Sequence, residues 1–349
     1  MKAVVIHGTG DIRYEEYPEP EIKPCCVKIR IMACGICGSD IPRVWKGSAH
    51  SYPIVLGHEF SGYVTEVGEG VTTLNAGDHV SGIPLIPCMH CPDCLSGNYS
   101  QCKHYSFIGS RQQGAMADYI VVPEQNTLKI DPSVSWRDAA LFEPATVALH
   151  GIQLSQFTGG KSVLILGGGT IGCFTLQWAK LLGASSITVI GRDQKHLKVA
   201  QALGSDHIVS TLDSDYMQQL HAITSGHGFD YIYETAGSTA MMQLAFEEAA
   251  NKAHICFIGT PTVDLTFSPR QWENLNRKEL HLTGSWMSCS APFPGNEWKM
   301  VQQFMGDGRL SVNSGMIFGE YPMKEAENAF SLYQTAGKVK GRVVLYNQD

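Results

Sequence analysis

The sequence predicts an α/β protein in two parts: a β-rich domain and a domain built on a doubly wound parallel sheet. Three observations predict it. Residues 1–147 carry short apolar runs broken by glycine and proline, the mark of short strands. From Lys161 the chain alternates strand and helix, the rhythm of a parallel sheet, and that rhythm stops near Leu282. At 349 residues the chain is also longer than one hydrophobic core ordinarily serves. The expected division is 1–147, then 148–284, with 285–349 returning to the first domain.

Composition narrows the function classes. Hydrophobic residues make up 44% and glycines number 36, as in a turn-rich globular protein. A net charge of −7 and a pI near 6.0 weigh against nucleic acid and against an anionic membrane surface as partners. No apolar run reaches membrane-spanning length, and Met1–Ile6 reads as a strand rather than as a secretion signal. The expected compartment is the cytoplasm. Eleven cysteines, an odd count without a secretion signal, suit metal ligation better than a disulfide framework.

In chain order, Ala3–Ile6 and Val27–Met32 read as strands around a turn at Pro18-Glu19-Pro20. Cys25, Cys26 and Cys34 show no ligand spacing. Cys37 lies between Gly35 and Gly38 in a tight Gly-Ile-Cys-Gly-Ser-Asp turn. Ser39 could hydrogen-bond a metal-bound alcohol. Equally, Ser39 or Asp40 could cap a helix over Ile41–Lys46. His58 and Glu59 follow Tyr52–Gly57, and the β pattern continues through Phe60–Val67 and Gly77–Val80. A thiolate, an imidazole and a carboxylate form a mixed ligand set that suits zinc with one position left open for chemistry. The pattern is weak alone, since a buried cysteine and a satisfied core histidine give the same letters.

The strongest local signal is Cys88, Cys91, Cys94 and Cys102, spaced C-x₂-C-x₂-C-x₇-C. Four thiolates in one short lobe fit a closed structural zinc site. Nothing nearby suggests the electron transfer that an iron–sulfur cluster serves. Further on, Leu141–His150 switches to helical spacing. Glu143 stands there directly before Pro144, at a helix start where a carboxylate meets the positive end of the dipole.

Ser162–Leu166 is a buried parallel strand, and Gly167-Gly168-Gly169-Thr170-Ile171-Gly172 follows before an apolar helix. A G-x-G-x-x-G in that setting is a dinucleotide fingerprint, with backbone N–H groups of Gly169, Thr170 and Ile171 aimed at a pyrophosphate. The next strand, Ile187–Ile190, should end in the acid that grips a ribose diol. It ends in Gly191-Arg192 instead, with Gly191 24 residues past Gly167. Without that carboxylate nothing repels a 2′-phosphate, and Arg192 offers a charge-assisted partner, so NADP is favoured over NAD. The other reading makes Arg192 a solvated charge and lets Asp193 serve as the acid.

The alternation continues through Phe229–Gly237, a helix to Ala250, and His254–Gly259. Thr262–Phe267 alternates polar and apolar residues. It reads as an edge strand able to pair with a second subunit, or as simply exposed. The tail holds helices around Trp298–Gly306 and Lys324–Gln334 and a last strand at Arg342–Tyr346.

Cys37-Gly38-Ser39-Asp40, Gly57-His58-Glu59-Phe60-Ser61-Gly62, the four-cysteine lobe, Glu143-Pro144 and the glycine fingerprint occur in that order. In this combination the chain resembles the zinc-dependent medium-chain alcohol and polyol dehydrogenases over nearly its whole length. Ser39–Arg43, His50–Pro53, Tyr99–Cys102, Phe107–Arg111 and Gly284–Met287 resemble members acting on phosphorylated sugar alcohols. The resemblance implies a GroES-like catalytic domain interrupted by a Rossmann domain. It implies Cys37, His58 and Glu143 as ligands of a catalytic zinc, with Glu59 an alternating ligand or a carboxylate that tunes the metal. Cys88, Cys91, Cys94 and Cys102 would hold a second zinc. The substrate would be a sugar alcohol or its phosphate, the cofactor NAD(P), and the assembly a homodimer or homotetramer.

Two departures accompany it. Many polyol dehydrogenases place a relay histidine shortly after the Ser-Asp pair, where this chain has Ile41-Pro42, so proton release falls to Ser39 and water. The second is Gly191-Arg192. A phosphorylated substrate needs cations, and Arg43, Lys46 and Arg111 lie near the expected catalytic turns. The rival readings are a dehydrogenase of an unphosphorylated polyol or related secondary alcohol, and a non-catalytic NADP(H)-binding redox sensor.

Overall fold

The strand Cys26–Ile36 is the spine of the first unit. Val27, Ile29 and Ile31 are β-branched and fully buried, which suits a strand packed on a core. Glu59–Val67 pairs antiparallel along one side. The other side is shared, with Tyr119–Pro123 against Cys26–Arg30 and Arg342–Tyr346 against Ala33–Ile36. His79–Gly82 and Thr127–Lys129 extend the sheet past Glu59–Val67, and Ile317–Pro322 extends it past Arg342–Tyr346. A separate three-stranded sheet joins Lys2–Gly8, Asp11–Glu16 and Ile54–Val55. The register sets Glu59 opposite Gly35, and Val343 opposite Ile36. The end of the spine therefore carries the turn that contains Cys37.

The computed structural model describes residues 1–347. The chain divides into two compact units. One comprises Met1–Thr146, Ser288–Val312 and the stretch from Ile317 onward; the other comprises Val147–Met287 and Asn313–Met316. The short stretch 313–316 thus belongs with the second unit, inside the tail expected to return to the first.

The second unit is a six-stranded parallel sheet. Its order is His207–Ser210, Ser186–Gly191, Ser162–Leu166, Phe229–Glu234, Ala249–Phe257, His281–Gly284. Numbered along the chain this is 3-2-1-4-5-6, the dinucleotide-binding order, and it reverses direction between Ser162–Leu166 and Phe229–Glu234. Val163, Leu164, Ile165 and Leu166 are all fully buried, as a strand covered on both faces requires.

Two sequence expectations fail locally. Thr262–Phe267 is not a strand. The Gln243 side chain donates to the Thr266 carbonyl, and the Phe267 ring packs 5.0 Å from Phe246 and 5.9 Å from Trp272. Side-chain contacts claim this segment, so its alternating pattern has no neighbouring strand to pair with. The helix expected over Lys324–Gln334 is divided into a 3₁₀ turn at Met323–Glu325, an α-helix at Ala326–Ser331 and a second 3₁₀ turn at Leu332–Gln334. Among the described residues no helix is long and apolar enough to cross a membrane.

Candidate active site

The sheet register brings Cys37, His58 and Glu59 together. One ligand atom from each lies within 4.8 Å of the others. Cys37 leaves the end of the spine strand, while His58 and Glu59 sit at the start of the strand paired with it. Gly35 makes room for this arrangement, because a Cβ there would overlap the Glu59 carboxylate. The His58 ring meets the edge of Phe107 at 5.4 Å.

Glu59 is fully buried, and neither of its oxygens makes a hydrogen bond; His58 Nδ1 is likewise buried and unbonded. Arg342 Nε lies 3.1 Å from Glu59 Oε2, an ion pair without hydrogen-bond alignment. Burial, with Glu59 adding to it, pushes the Cys37 thiol up to about 12, against the pull of Arg342. Burial also pushes Glu143 up to about 8, while His58 opposes the shift and Glu59 and Cys37 reinforce it. A half-buried thiol and two buried carboxylates are costly as anions where water is largely excluded. A divalent cation offsets that cost directly, and a thiol, an imidazole and a carboxylate are donors zinc accepts. The residues present therefore fit a zinc ion.

Glu143 falls outside the tight 4.8 Å set but near enough to feel the charges of His58, Glu59 and Cys37. It is the second residue of the helix Phe142–Leu154. Asp40 does not cap its own helix, Asp40–Trp45. Its carboxylate turns back and accepts the Cys37 N–H at 3.0 Å, and it lies 3.7 Å from His58 Nδ1. Ser39 holds the N-cap position without a capping bond from its side chain.

The four-cysteine lobe is equally well formed. All four sulfurs lie within 4.8 Å of one another, with Cys88 to Cys94 at 3.9 Å and Cys91 to Cys102 at 3.8 Å. Tetrahedral zinc with sulfur at about 2.3 Å spaces its ligands about 3.8 Å apart, so the lobe fits a closed site. Backbone N–H groups, that of His90 first, bring the Cys88 thiol down to about 7, whereas burial pushes Cys94 up to about 12.

In the second unit the strand Ser162–Leu166 ends at Gly167, and the helix Thr170–Leu181 begins after Gly169. A Cβ on Gly172 would overlap the Gly167 carbonyl, so the turn closes only with glycine there. No side chain caps this helix, and its first N–H groups are left for a ligand. Gly191 ends the neighbouring strand, where a Cβ would sit 3.6 Å from the Gly168 nitrogen. Arg192 is exposed. Asp193 caps the next helix by accepting the His196 N–H at 3.0 Å.

Of the three candidate substrate cations, Arg43 bonds to Ser39 and Asp40. Arg111 stacks over Tyr105, 4.4 Å from its centroid, and Lys46 is exposed. Sequence reasoning missed Arg342, Asp40 and Tyr333, all of which bear on the Cys37 cluster. Only Asp40 carried a local signal, through its place in the Cys37 turn.

Comparison with known proteins shows the family. The family model for the alcohol dehydrogenase GroES-like domain matches residues 23–132, and that for zinc-binding dehydrogenase matches residues 170–305. Galactitol 1-phosphate 5-dehydrogenase of Escherichia coli K12 is 41% identical over 313 residues, covering 89% of this chain and 90% of its own. D-arabitol-phosphate dehydrogenase of Enterococcus avium is 30% identical over 341 residues, covering 95% of this chain and 94% of its own. The chain belongs to the zinc-dependent medium-chain alcohol and polyol dehydrogenases, a family of oxidoreductases.

Two solved structures share its fold. The crystal structure of galactitol-1-phosphate dehydrogenase from Escherichia coli matches with a TM-score of 0.94 at 38% identity, covering 99% of this chain and 100% of that one. A zinc-binding dehydrogenase from Sinorhizobium meliloti 1021 bound to NADP matches with a TM-score of 0.89 at 28% identity, covering 99% of this chain and 98% of that one.

Proposed function

We propose that the protein interconverts galactitol 1-phosphate and tagatose 6-phosphate, with NADP(H) as hydride carrier and two zinc ions per chain. The cluster of half-buried Cys37 with buried His58 and Glu59 carries this reading. A zinc ion held there supplies Lewis acidity toward a substrate hydroxyl, and a bound nicotinamide supplies the hydride acceptor. Cys37 and His58 are the fixed donors, and a carboxylate from Glu59 or Glu143 completes the set. Arg342 holds Glu59 and balances part of the anionic charge. Ser39, exposed beside Cys37, takes the proton that leaves the substrate hydroxyl and hands it to water. Cys88, Cys91, Cys94 and Cys102 hold the second zinc and keep their lobe folded.

The first N–H groups after Gly169 receive the pyrophosphate. The NADP preference rests on Gly191 having no side chain and on Asp193 being engaged as a helix cap, with Arg192 free for a 2′-phosphate. Arg111 and Lys46 are exposed and serve the substrate phosphate. A homodimer or homotetramer in the cytoplasm belongs to the same reading, supported by the open sheet edge at His281–Gly284 with exposed Leu282 and Trp286.

The second reading, an unphosphorylated polyol, draws on the sorbitol dehydrogenase of Bacillus subtilis 168, 33% identical over 267 residues. Turnover of galactitol 1-phosphate, galactitol and sorbitol, each with NADP and NAD, decides between them. We expect kcat/KM highest for the phosphate ester with NADP, and two zinc ions per chain. A faster reaction on galactitol, or a clear NAD preference, refutes the corresponding part.

A further inference from the structure

Glu234 is the last residue of the strand Phe229–Glu234 and is fully buried. Its Oε1 accepts the Ala236 N–H at 3.0 Å and the Gly237 N–H at 2.8 Å, and its Oε2 accepts the Gly237 N–H at 3.1 Å. Its carbonyl accepts the N–H groups of Ile258 and Gly259, each at 2.9 Å. A Cβ on Gly259 would overlap both the Gly237 nitrogen and Glu234 Oε2. The next residue, Thr235, places its hydroxyl 3.0 Å from the Leu166 carbonyl and 3.0 Å from the Gly167 carbonyl. The carboxylate therefore sits where three segments meet: the fingerprint turn, the loop after its own strand and the loop after Ala249–Phe257.

Backbone N–H donors favour the ionised form of a carboxyl group. Burial raises Glu234 from its ordinary value, and the N–H groups of Ala236, Gly237 and Ser238 oppose that shift. Among the described residues no cation pairs with it. A buried charge without a counter-charge is costly, and a neutral amide oxygen would serve these N–H groups as an acceptor. The loop needs an acceptor; it does not need the charge.

The place of the charge supplies a use for it. A dinucleotide lies across the C-terminal ends of the strands where their order reverses, here between Ser162–Leu166 and Phe229–Glu234. On the NADP(H) reading proposed above, the adenosine half lies toward Gly191, so the nicotinamide half lies toward the end of Phe229–Glu234. The oxidised nicotinamide ring carries a positive charge that the reduced ring lacks. We infer that the buried Glu234 carboxylate biases the crevice toward the oxidised, cationic cofactor and so sets the balance between the two bound forms. Glu234 acts through its field and takes no part in the transfer. A unit charge acting over roughly 8–12 Å at an effective dielectric of about 20 changes an equilibrium by roughly 10- to 30-fold, and the N–H groups around the carboxylate reduce that.

The test measures the dissociation constants of NADPH and NADP+ for the zinc-loaded wild type, Glu234→Gln and Glu234→Asp, at pH 8 and without substrate. NADPH is followed by its fluorescence, and NADP+ by its displacement of NADPH. The readout is the ratio of the NADP+ constant to the NADPH constant. We expect that ratio to rise roughly 3- to 30-fold in Glu234→Gln and to stay within about twofold of wild type in Glu234→Asp. A disordered loop weakens both forms alike. Lower affinity for both at an unchanged ratio in Glu234→Gln therefore assigns Glu234 a structural role and overturns the inference. A ratio that falls in Glu234→Gln, or rises as far in Glu234→Asp, overturns it as well. If Glu234→Gln does not fold by circular dichroism, Glu234→Met supplies a second neutral side chain and the same ratio decides. If neither neutral variant folds, Glu234→Asp decides, and a ratio beyond twofold of wild type overturns the inference. The cofactor reading fails separately. Wild type that binds only NAD+ and NADH refutes the NADP preference and moves the same comparison to that pair. Wild type that binds neither pair removes the cofactor reading and the inference with it.

Discussion

Replacing Arg342 by leucine removes the cation that faces Glu59 while keeping an apolar stem in the strand. The two groups lie 3.1 Å apart, with side chains 12% and 1% exposed. At an effective dielectric of about 20, that separation corresponds to about 5 kcal/mol of attraction. Breaking a buried pair by deleting one partner ordinarily costs about 3–5 kcal/mol, because the other charge stays buried and unmatched. Arg342 Nη1 also donates to the Ile36 carbonyl at 3.1 Å, so leucine leaves that acceptor unsatisfied too. Taking roughly 2–4 °C per kcal/mol for a unit of this size, chelator-treated Arg342→Leu should melt roughly 10 °C below chelator-treated wild type. Zinc supplies a positive charge to the same carboxylates, so the zinc-loaded variant should lose less than about half as much. Thermal melts of the four samples, metal-free and zinc-loaded, test this. Equal losses with and without zinc would refute the electrostatic account of the site, since Arg342 would then act through packing alone.

Two further predictions follow from the same geometry. Gly172→Ala forces the fingerprint turn open and should cost about 1–3 kcal/mol of stability; NADPH binding, followed by fluorescence titration, should be lost, and wild-type affinity would show that the turn does not hold the pyrophosphate. Burial holds Glu143 near 8 against an ordinary 4.5, so the metal-free folded state binds more protons than the unfolded chain between those values. Its stability is therefore fully present at acid pH and falls as pH rises through that window. Urea midpoints of chelated wild type should drop from pH 5 to pH 8, Glu143→Gln should flatten the trend, and an unchanged slope in Glu143→Gln would assign the effect elsewhere.

The features legible in the sequence were those whose chemistry is short in chain distance. The four cysteines fall within one lobe, and the glycine fingerprint lies between a strand and a helix that its own neighbours specify. His58 and Glu59 were legible as ligand types, but only the register of two long strands carries them to Cys37. Arg342 had no signal, because a single arginine in a terminal strand reads as surface charge until the sheet order sets it against Glu59. Thr262–Phe267 shows the converse. Alternation is necessary for a half-buried strand but does not supply a partner, and here side chains from a neighbouring helix and an aromatic cluster took the segment instead. Residue type leaves Ser39 and Asp40 equal as helix caps; the fold puts Ser39 at the N-cap position and turns the Asp40 carboxylate to the Cys37 N–H.

The strand carrying Arg342 pairs with the spine across 306 residues of sequence, and the whole parallel-sheet unit is made between them. A chain emerging from the ribosome can therefore finish its nucleotide-binding unit while the sheet around Cys37 still lacks a member. Until that late strand docks, Glu59 faces no guanidinium and its neighbours have no counter-charge. The protein's own counter-charge for the cluster thus comes from a strand made after the parallel-sheet unit.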